Sequence, residues 1–144
     1  MSRPAAVVSV DVDPVDLHLV GYGFKGLPPD PLACAQALPR PLDLFARHGV
    51  RATLFTVGRD ACVHADVIRR AVAEGHEIAS HTQTHPIRFA GLTEKRKRRE
   101  LTESRDALEQ VGVAPTRWPS FQAALDTLRA SGKVVAPDDP EARG

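Results

Sequence analysis

Short apolar runs alternate along this chain with amphipathic stretches of helical length, each of which stops at a glycine. Residues 6–12 form a valine-rich run that ends in carboxylates, as is typical of a buried parallel strand. In chain order, the later elements are predicted as a helix over 41–48, a strand over 51–57, a helix over 64–74, a strand over 76–80, a helix over 93–111, a helix over 121–128 and a strand over 133–136. This alternation predicts an α/β fold in which helices cover a parallel sheet, either open or closed into a barrel.

The segment from Pro14 to Arg40 interrupts the alternation. It keeps neither a helical nor a strand period and is rich in proline and glycine, so we expect a long loop. Connections in α/β units usually span about 2 to 6 residues, and longer ones more often serve as lids or binding loops. Substrate contacts are therefore predicted in this loop.

Size and composition indicate one globular domain. The chain has 144 residues, of which 42% are hydrophobic and 26% charged, so we expect a single domain over 1–144 with its core in 6–136 and an unstructured tail over 137–144. The net charge of +1 gives no global attraction for nucleic acid or anionic lipid. Cys34 and Cys62 form no CxxC pair and are predicted to be free thiols.

Targeting signals give a further expectation. No apolar run approaches the ~20 residues of a membrane span. The first residues lack the apolar core of a secretion signal, because Asp11 and Asp13 interrupt it. We therefore expect no membrane partner and a cytoplasmic location.

Two residue pairs could carry chemistry. Asp11 and Asp13 follow the first predicted strand, and His81 and His85 follow the third in the segment SHTQTHP. The carboxyl ends of parallel strands meet at one edge of a sheet, so the two pairs are predicted to lie close together. Either pair alone is better explained by turn capping or by solvated loop residues, and their occurrence together favours a site.

The spacing of the histidines suggests what that site would bind. Pro86 disfavours a helical His85, so a turn is predicted, and the absence of glutamate at position 82 excludes a zinc-protease helix of the HExxH type. Two imidazoles and one carboxylate match the ligands of a catalytic Zn²⁺ or similar divalent ion with one position open to water. The second carboxylate would then be free to act as a base.

The remaining polar residues are predicted to be structural or exposed. The basic run from Lys95 to Arg99 has acidic neighbours and no interleaved aromatic residue, so a solvated helix face is favoured over a nucleic-acid site. The other four histidines lack a partner pattern and are expected to be structural or on the surface; they are His18, His48, His64 and His76.

The motifs VSVDVDP, GVRATLFTVG and AEGHEIASHTQTHP together resemble those of the polysaccharide deacetylase family, carbohydrate esterase family 4. The resemblance runs from Val8 to about Ala136, with HTQTH as its most specific part. One valine separates the two aspartates that are usually adjacent in the family motif. Arg117, in Arg-Trp-Pro, stands about where the family has an Arg-x-Pro motif.

The resemblance implies a distorted parallel (β/α) barrel and a metal-dependent hydrolase of non-peptide carbon–nitrogen bonds that deacetylates a carbohydrate or small acetylated substrate. It implies that Asp13, His81 and His85 bind one divalent metal, Zn²⁺ first and Co²⁺, Ni²⁺ or Mn²⁺ as alternatives. It also implies that Asp11 is the general base and that Arg117 holds Asp11 in place.

The later family motifs, including the histidine that acts as general acid, have no counterpart in this sequence. We therefore expect a barrel that is incomplete at its C-terminus, weak turnover, and a possible homo-oligomer through an uncovered sheet edge. Two alternatives remain open: a metal-binding but catalytically weak carbohydrate-binding module, and a nucleic-acid binder that uses Lys95–Arg99.

Overall fold

The computed structural model describes residues 7–29 and 32–113. Its strands and helices, in chain order, are β1 (Ser9–Val12), α1 (Val15–Val20), a π-helical segment (Leu32–Ala37), α2 (Pro39–His48), β2 (Thr53–Thr56), α3 (Gly58–Val63), α4 (Ala65–Ala73), β3 (Glu77–Ser80), a 3₁₀ turn (Phe89–Gly91) and α5 (Glu94–Gln110).

The described strands form one parallel sheet in the order β1-β2-β3. The register aligns Val12 with Thr56 and Thr56 with Ser80, so the three strands end level with one another. This confirms the first three predicted strands and places the residues that follow them at one edge. Closure into a barrel remains a prediction.

A core of aliphatic side chains holds the helices against the sheet. Leu42 of α2, Leu54 of β2 and Ile68 of α4 are each fully buried. Gly49 ends α2 with a left-handed φ of 62°, as predicted for a glycine in the C′ position. Burying a side chain of this size contributes roughly 1.5–3 kcal/mol, so these contacts fix the helices on the sheet.

The long α5 packs against α3 and the end of β3. It begins at Thr93, whose hydroxyl accepts a hydrogen bond from the Arg96 amide at 3.4 Å, and its inner face includes the buried Ser104 and Leu108. The helix predicted over 93–111 is confirmed. Its inner face lies beside the loop that follows β3.

The prediction of one long loop from Pro14 to Arg40 is wrong. This segment contains α1, the π-helical segment Leu32–Ala37 and the first two residues of α2. α1 has six residues, which is too short to show a helical period against a proline-rich background. α3 was not predicted for the same reason, since it also has six residues and begins at a glycine.

Several predictions fall outside the described residues: the helix over 121–128, the strand over 133–136, the tail and Arg117. Within residues 7–29 and 32–113, no helix combines the length and the apolar character that crossing a bilayer requires.

Candidate metal centre

Asp13, His81 and His85 converge at the carboxyl edge of the sheet. Asp13 directly follows β1 and His81 directly follows β3, and the level strand ends bring them together. Asp13 Oδ1 lies 3.3 Å from His81 Nε2, and Asp13 Oδ2 lies 3.6 Å from His85 Nε2. One ligand atom from each residue falls within 4.8 Å of the others. The structure thus brings together all three residues that were predicted as metal ligands.

Two atoms of this cluster lack hydrogen-bond partners in the described part of the chain. Asp13 Oδ1 and His85 Nδ1 are both buried. Buried polar atoms are nearly always paired, because an unpaired one costs about 1–3 kcal/mol. A cation bound to the carboxylate and the imidazoles would satisfy the carboxylate oxygen, so the donor set fits a divalent metal.

The loop between the two histidines has an unusual backbone. Thr82 and His85 adopt positive φ values of 66° and 47°. Left-handed conformations of non-glycine residues cost about 1–3 kcal/mol each and are uncommon for a β-branched residue. The loop is a turn, as Pro86 predicted, and surrounding contacts must hold it in this form.

The β2–α3 turn holds one side of the loop. The Gly58 amide donates to the Thr82 carbonyl at 3.0 Å, and the Arg59 amide donates to the Gln83 carbonyl at 3.1 Å. Within the loop, the His85 amide donates to the Thr82 hydroxyl at 3.1 Å. These bonds fix the carbonyls and the start of the turn.

Glu100 of α5 holds the other side. Its Oε2 accepts hydrogen bonds from the Gln83 and Thr84 amides at 3.1 and 2.8 Å, and its Oε1 accepts one from the Thr84 hydroxyl at 2.7 Å. The sequence alone does not single out Glu100, because in the run KRKRREL it resembles one more charge on a solvated helix.

A cavity of about 440 Å³ opens at this edge. Its wall includes Asp11, which lies beside the metal cluster as predicted for a base; whether Asp11 serves as that base stays a prediction. His18 and Tyr22 also line it, and their rings lie 5.6 Å apart. His18 is exposed, as expected; substrate contacts were predicted in its segment, but His18 itself was not singled out for the cavity wall.

The predicted structural role of His76 and the predicted solvent face of the basic run fit the structure. His76 is buried and its Nδ1 accepts a hydrogen bond from the Ala52 amide at 3.1 Å. On α5, Arg98 pairs with Glu94 at 2.8 Å and Arg99 pairs with Glu103 at 2.7 Å. These exposed pairs along one helix are typical of a solvated face.

The pattern of the family model for polysaccharide deacetylases matches residues 26–129, which is most of the chain. The chain belongs to the polysaccharide deacetylase family. A chitooligosaccharide deacetylase from Rhizobium leguminosarum bv. trifolii is 40% identical over 91 residues, which are 63% of this chain and 38% of that protein. A peptidoglycan-N-acetylglucosamine deacetylase from Bacillus cereus is 33% identical over 78 residues, which are 54% of this chain and 28% of that protein.

Solved structures agree on the fold. The peptidoglycan deacetylase PdaC from Bacillus subtilis superposes with a TM-score of 0.58 at 22% identity, covering 96% of this chain and 62% of that one. At this identity the likeness shows the fold alone. The chain spans less than half the length of either of these two curated relatives.

Proposed function

We propose that this chain is a metal-dependent hydrolase that removes the acetyl group from an N-acetylated carbohydrate. The observation that carries the proposal is the convergence of Asp13, His81 and His85 on one side of an open cavity. The family membership and the deacetylase relatives support the choice of reaction.

The three ligand residues would hold a divalent cation, and Zn²⁺ suits two imidazoles and a carboxylate. When bound, such an ion polarises a carbonyl oxygen and lowers the pKa of water toward ~7. Cobalt, nickel and manganese remain alternatives to zinc.

Other residues of the chain would supply the general base, its orientation and a surface for the substrate. Asp11 is exposed on the cavity wall, where its carboxylate can take the proton of an attacking water. General-base assistance of this kind contributes typically ~10²- to 10⁴-fold. We further propose that Arg117 orients Asp11. The exposed ring of Tyr22 offers an apolar surface beside the same cavity, suited to one face of a sugar ring.

Metal content and acetate release test the proposal together. We expect the purified chain to bind one zinc ion and to release acetate from N-acetylated chitooligosaccharides, to lose this activity after chelation, and to regain it when zinc is added. His81→Ala and His85→Ala should lose the metal, whereas His48→Ala, which changes an exposed histidine on α2, should retain it.

Two results would contradict this assignment. Unchanged metal content in both cluster variants would exclude the site. A zinc-loaded chain that binds chitooligosaccharides without releasing acetate would favour the catalytically weak binding module instead.

A further inference from the structure

We propose that Glu100 is a positioning residue of the metal centre: its carboxylate holds the loop from His81 to His85 in the conformation that directs both imidazoles at Asp13. This inference rests on the proposed function for the presence of a metal. Its support is the geometry of the loop and of α5.

Glu100 is turned inward from a helix whose other glutamates face solvent. It is 7% exposed, whereas the Glu94 side chain is 79% exposed and pairs with Arg98 on the surface. A carboxylate is rarely buried unless its oxygens are satisfied, and three donors satisfy this one. All three donors belong to Gln83 and Thr84, the residues immediately before His85.

The loop needs such a partner because its backbone is strained. Thr82 and His85 both have positive φ, and two successive amides, those of Gln83 and Thr84, point away from the β2–α3 turn toward α5. A single carboxylate oxygen accepts both, and charge-assisted hydrogen bonds are stronger than neutral ones. Without the carboxylate, the two amides would lose their partner and the loop would be free to relax.

The β2–α3 turn cannot replace this contact. Gly58 and Arg59 bind carbonyl oxygens of the loop, whereas Glu100 binds its amides. Backbone donors therefore bind the loop on one side and a carboxylate acceptor binds it on the other. The two histidines lie at the ends of the segment that these contacts fix. Outer contacts that orient metal ligands typically change metal affinity by about 10–100-fold.

The decisive experiment measures the zinc dissociation constant of the metal-free chain by competition with a chromophoric chelator. We expect Glu100→Ala to weaken zinc binding by about 10–100-fold. Glu100→Gln should stay within roughly threefold of the parent, because an amide oxygen still accepts both backbone bonds and the amide nitrogen can donate to the Thr84 hydroxyl. Glu103→Ala is the matched control on the same helix, and it should leave the affinity unchanged.

A second variant covers the case in which Glu100→Ala does not fold. Thr84→Val removes only the hydroxyl donor from an exposed residue and should weaken zinc binding by severalfold. In a folded Glu100→Ala background the same change should have no further effect, because its partner is already gone. Thermal unfolding of the metal-free variants shows which of them fold.

The outcomes separate the two proposals. If the parent chain binds zinc and Glu100→Ala binds it equally well, or if Glu100→Gln is as weak as Glu100→Ala, the positioning role is wrong while the proposed function stands. If Glu100→Ala is unfolded, unchanged zinc affinity in Thr84→Val overturns the role. If the parent chain binds no zinc, both proposals fall.

Discussion

Arg59 forms a bidentate ion pair with Asp16 that connects the segment after β1 to the segment after β2. Its Nη1 lies 2.9 Å from Asp16 Oδ2 and its Nη2 lies 3.1 Å from Asp16 Oδ1, and Asp60 adds a further contact at 3.0 Å. The hydrogen bonds to Asp16 raise the pKa of the Arg59 guanidinium, although burial opposes them. This pair joins α1, which follows β1 and Asp13, to α3, whose Gly58 and Arg59 amides hold the loop that carries the two histidines.

Replacing Arg59 should destabilise the fold. Arg59→Ala removes two charge-assisted hydrogen bonds to a buried carboxylate, and we expect a loss of about 2–3 kcal/mol in the free energy of unfolding. Arg59→Lys should lose less, since it keeps the charge but not the planar fork. Urea unfolding measures both. Arg70→Ala, which breaks surface pairs with Asp43 and Glu74, is the control and should have a clearly smaller effect; equal losses would contradict a special role for Arg59.

Substitution of the two aspartates after β1 should affect different properties, metal binding for one and acetate release for the other. Asp13→Asn should lose zinc, because Asp13 lies against both histidines. Asp11→Asn should keep zinc and lose acetate release, because an exposed cavity-wall base acts on the rate rather than on occupancy. Elemental analysis paired with an acetate assay distinguishes them. Metal loss in the Asp11 variant together with retention in the Asp13 variant would exchange the two roles.

Gly58 is a packing constraint on the metal loop. A Cβ at this position would lie 2.7 Å from the Ser104 Cα in α5 and would also collide with the Gln83 side chain. Helix backbone cannot move as a flexible side chain can, so Gly58→Ala should cost about 1–3 kcal/mol. It should also weaken zinc binding, because the Gly58 amide holds the Thr82 carbonyl. Gly91→Ala is the control, since a Cβ there meets nothing within 4 Å. Urea unfolding and zinc competition compare the two variants. Equal stability and equal zinc affinity would show that α5 can shift away from the added methyl group without a loss of stability.

The meeting of the two aspartates with the two histidines could be predicted from the sequence because it depends on topology alone, whereas the choice of Asp13 as the ligand is what the family resemblance implied. The valine-rich run before Asp13 and the short run HEIAS before His81 are both predicted as parallel strands, and parallel strands end at a shared edge. Pro86 then favoured a turn over a helix for the second histidine. No detailed side-chain packing was needed to bring these residues together.

The residues that support the cluster could not be predicted in the same way. Glu100 lies in a highly charged run where a solvated role is the usual one, and only the packing of α5 buries it. Arg59 has no sequence signal that pairs it with Asp16, because the two residues meet only in the folded chain. The six-residue α1 and α3 are too short for a periodic signal, so the sequence predicted substrate contacts somewhere in Pro14 to Arg40 without identifying His18 and Tyr22.

Cys34 should make the fold sensitive to alkaline pH. Its thiol lies in the π-helical segment, is 2% exposed, and has its pKa raised from 9.0 to about 11, mainly by burial and further by the charge of Asp60. Below pH 9 the thiol is protonated in both states and contributes no pH dependence. Above pH 9 the unfolded chain releases this proton first, so it binds fewer protons than the folded chain and stability falls as pH rises toward about 11.

The expected slope is about 1.4 kcal/mol per pH unit within that window. Urea unfolding under reducing conditions at about pH 8, 9.5 and 10.5, compared between the parent chain and Cys34→Ala, isolates this contribution from other titrating groups. We expect the parent chain's advantage over Cys34→Ala to shrink by about 2 kcal/mol between the extremes. Cys62→Ala, which replaces the exposed cysteine and leaves Cys34 in place, should keep the parent's alkaline loss. A constant difference between the parent chain and Cys34→Ala across the three pH values would mean that the Cys34 thiol ionises equally easily in the folded and unfolded chains, and that its burial carries no electrostatic cost.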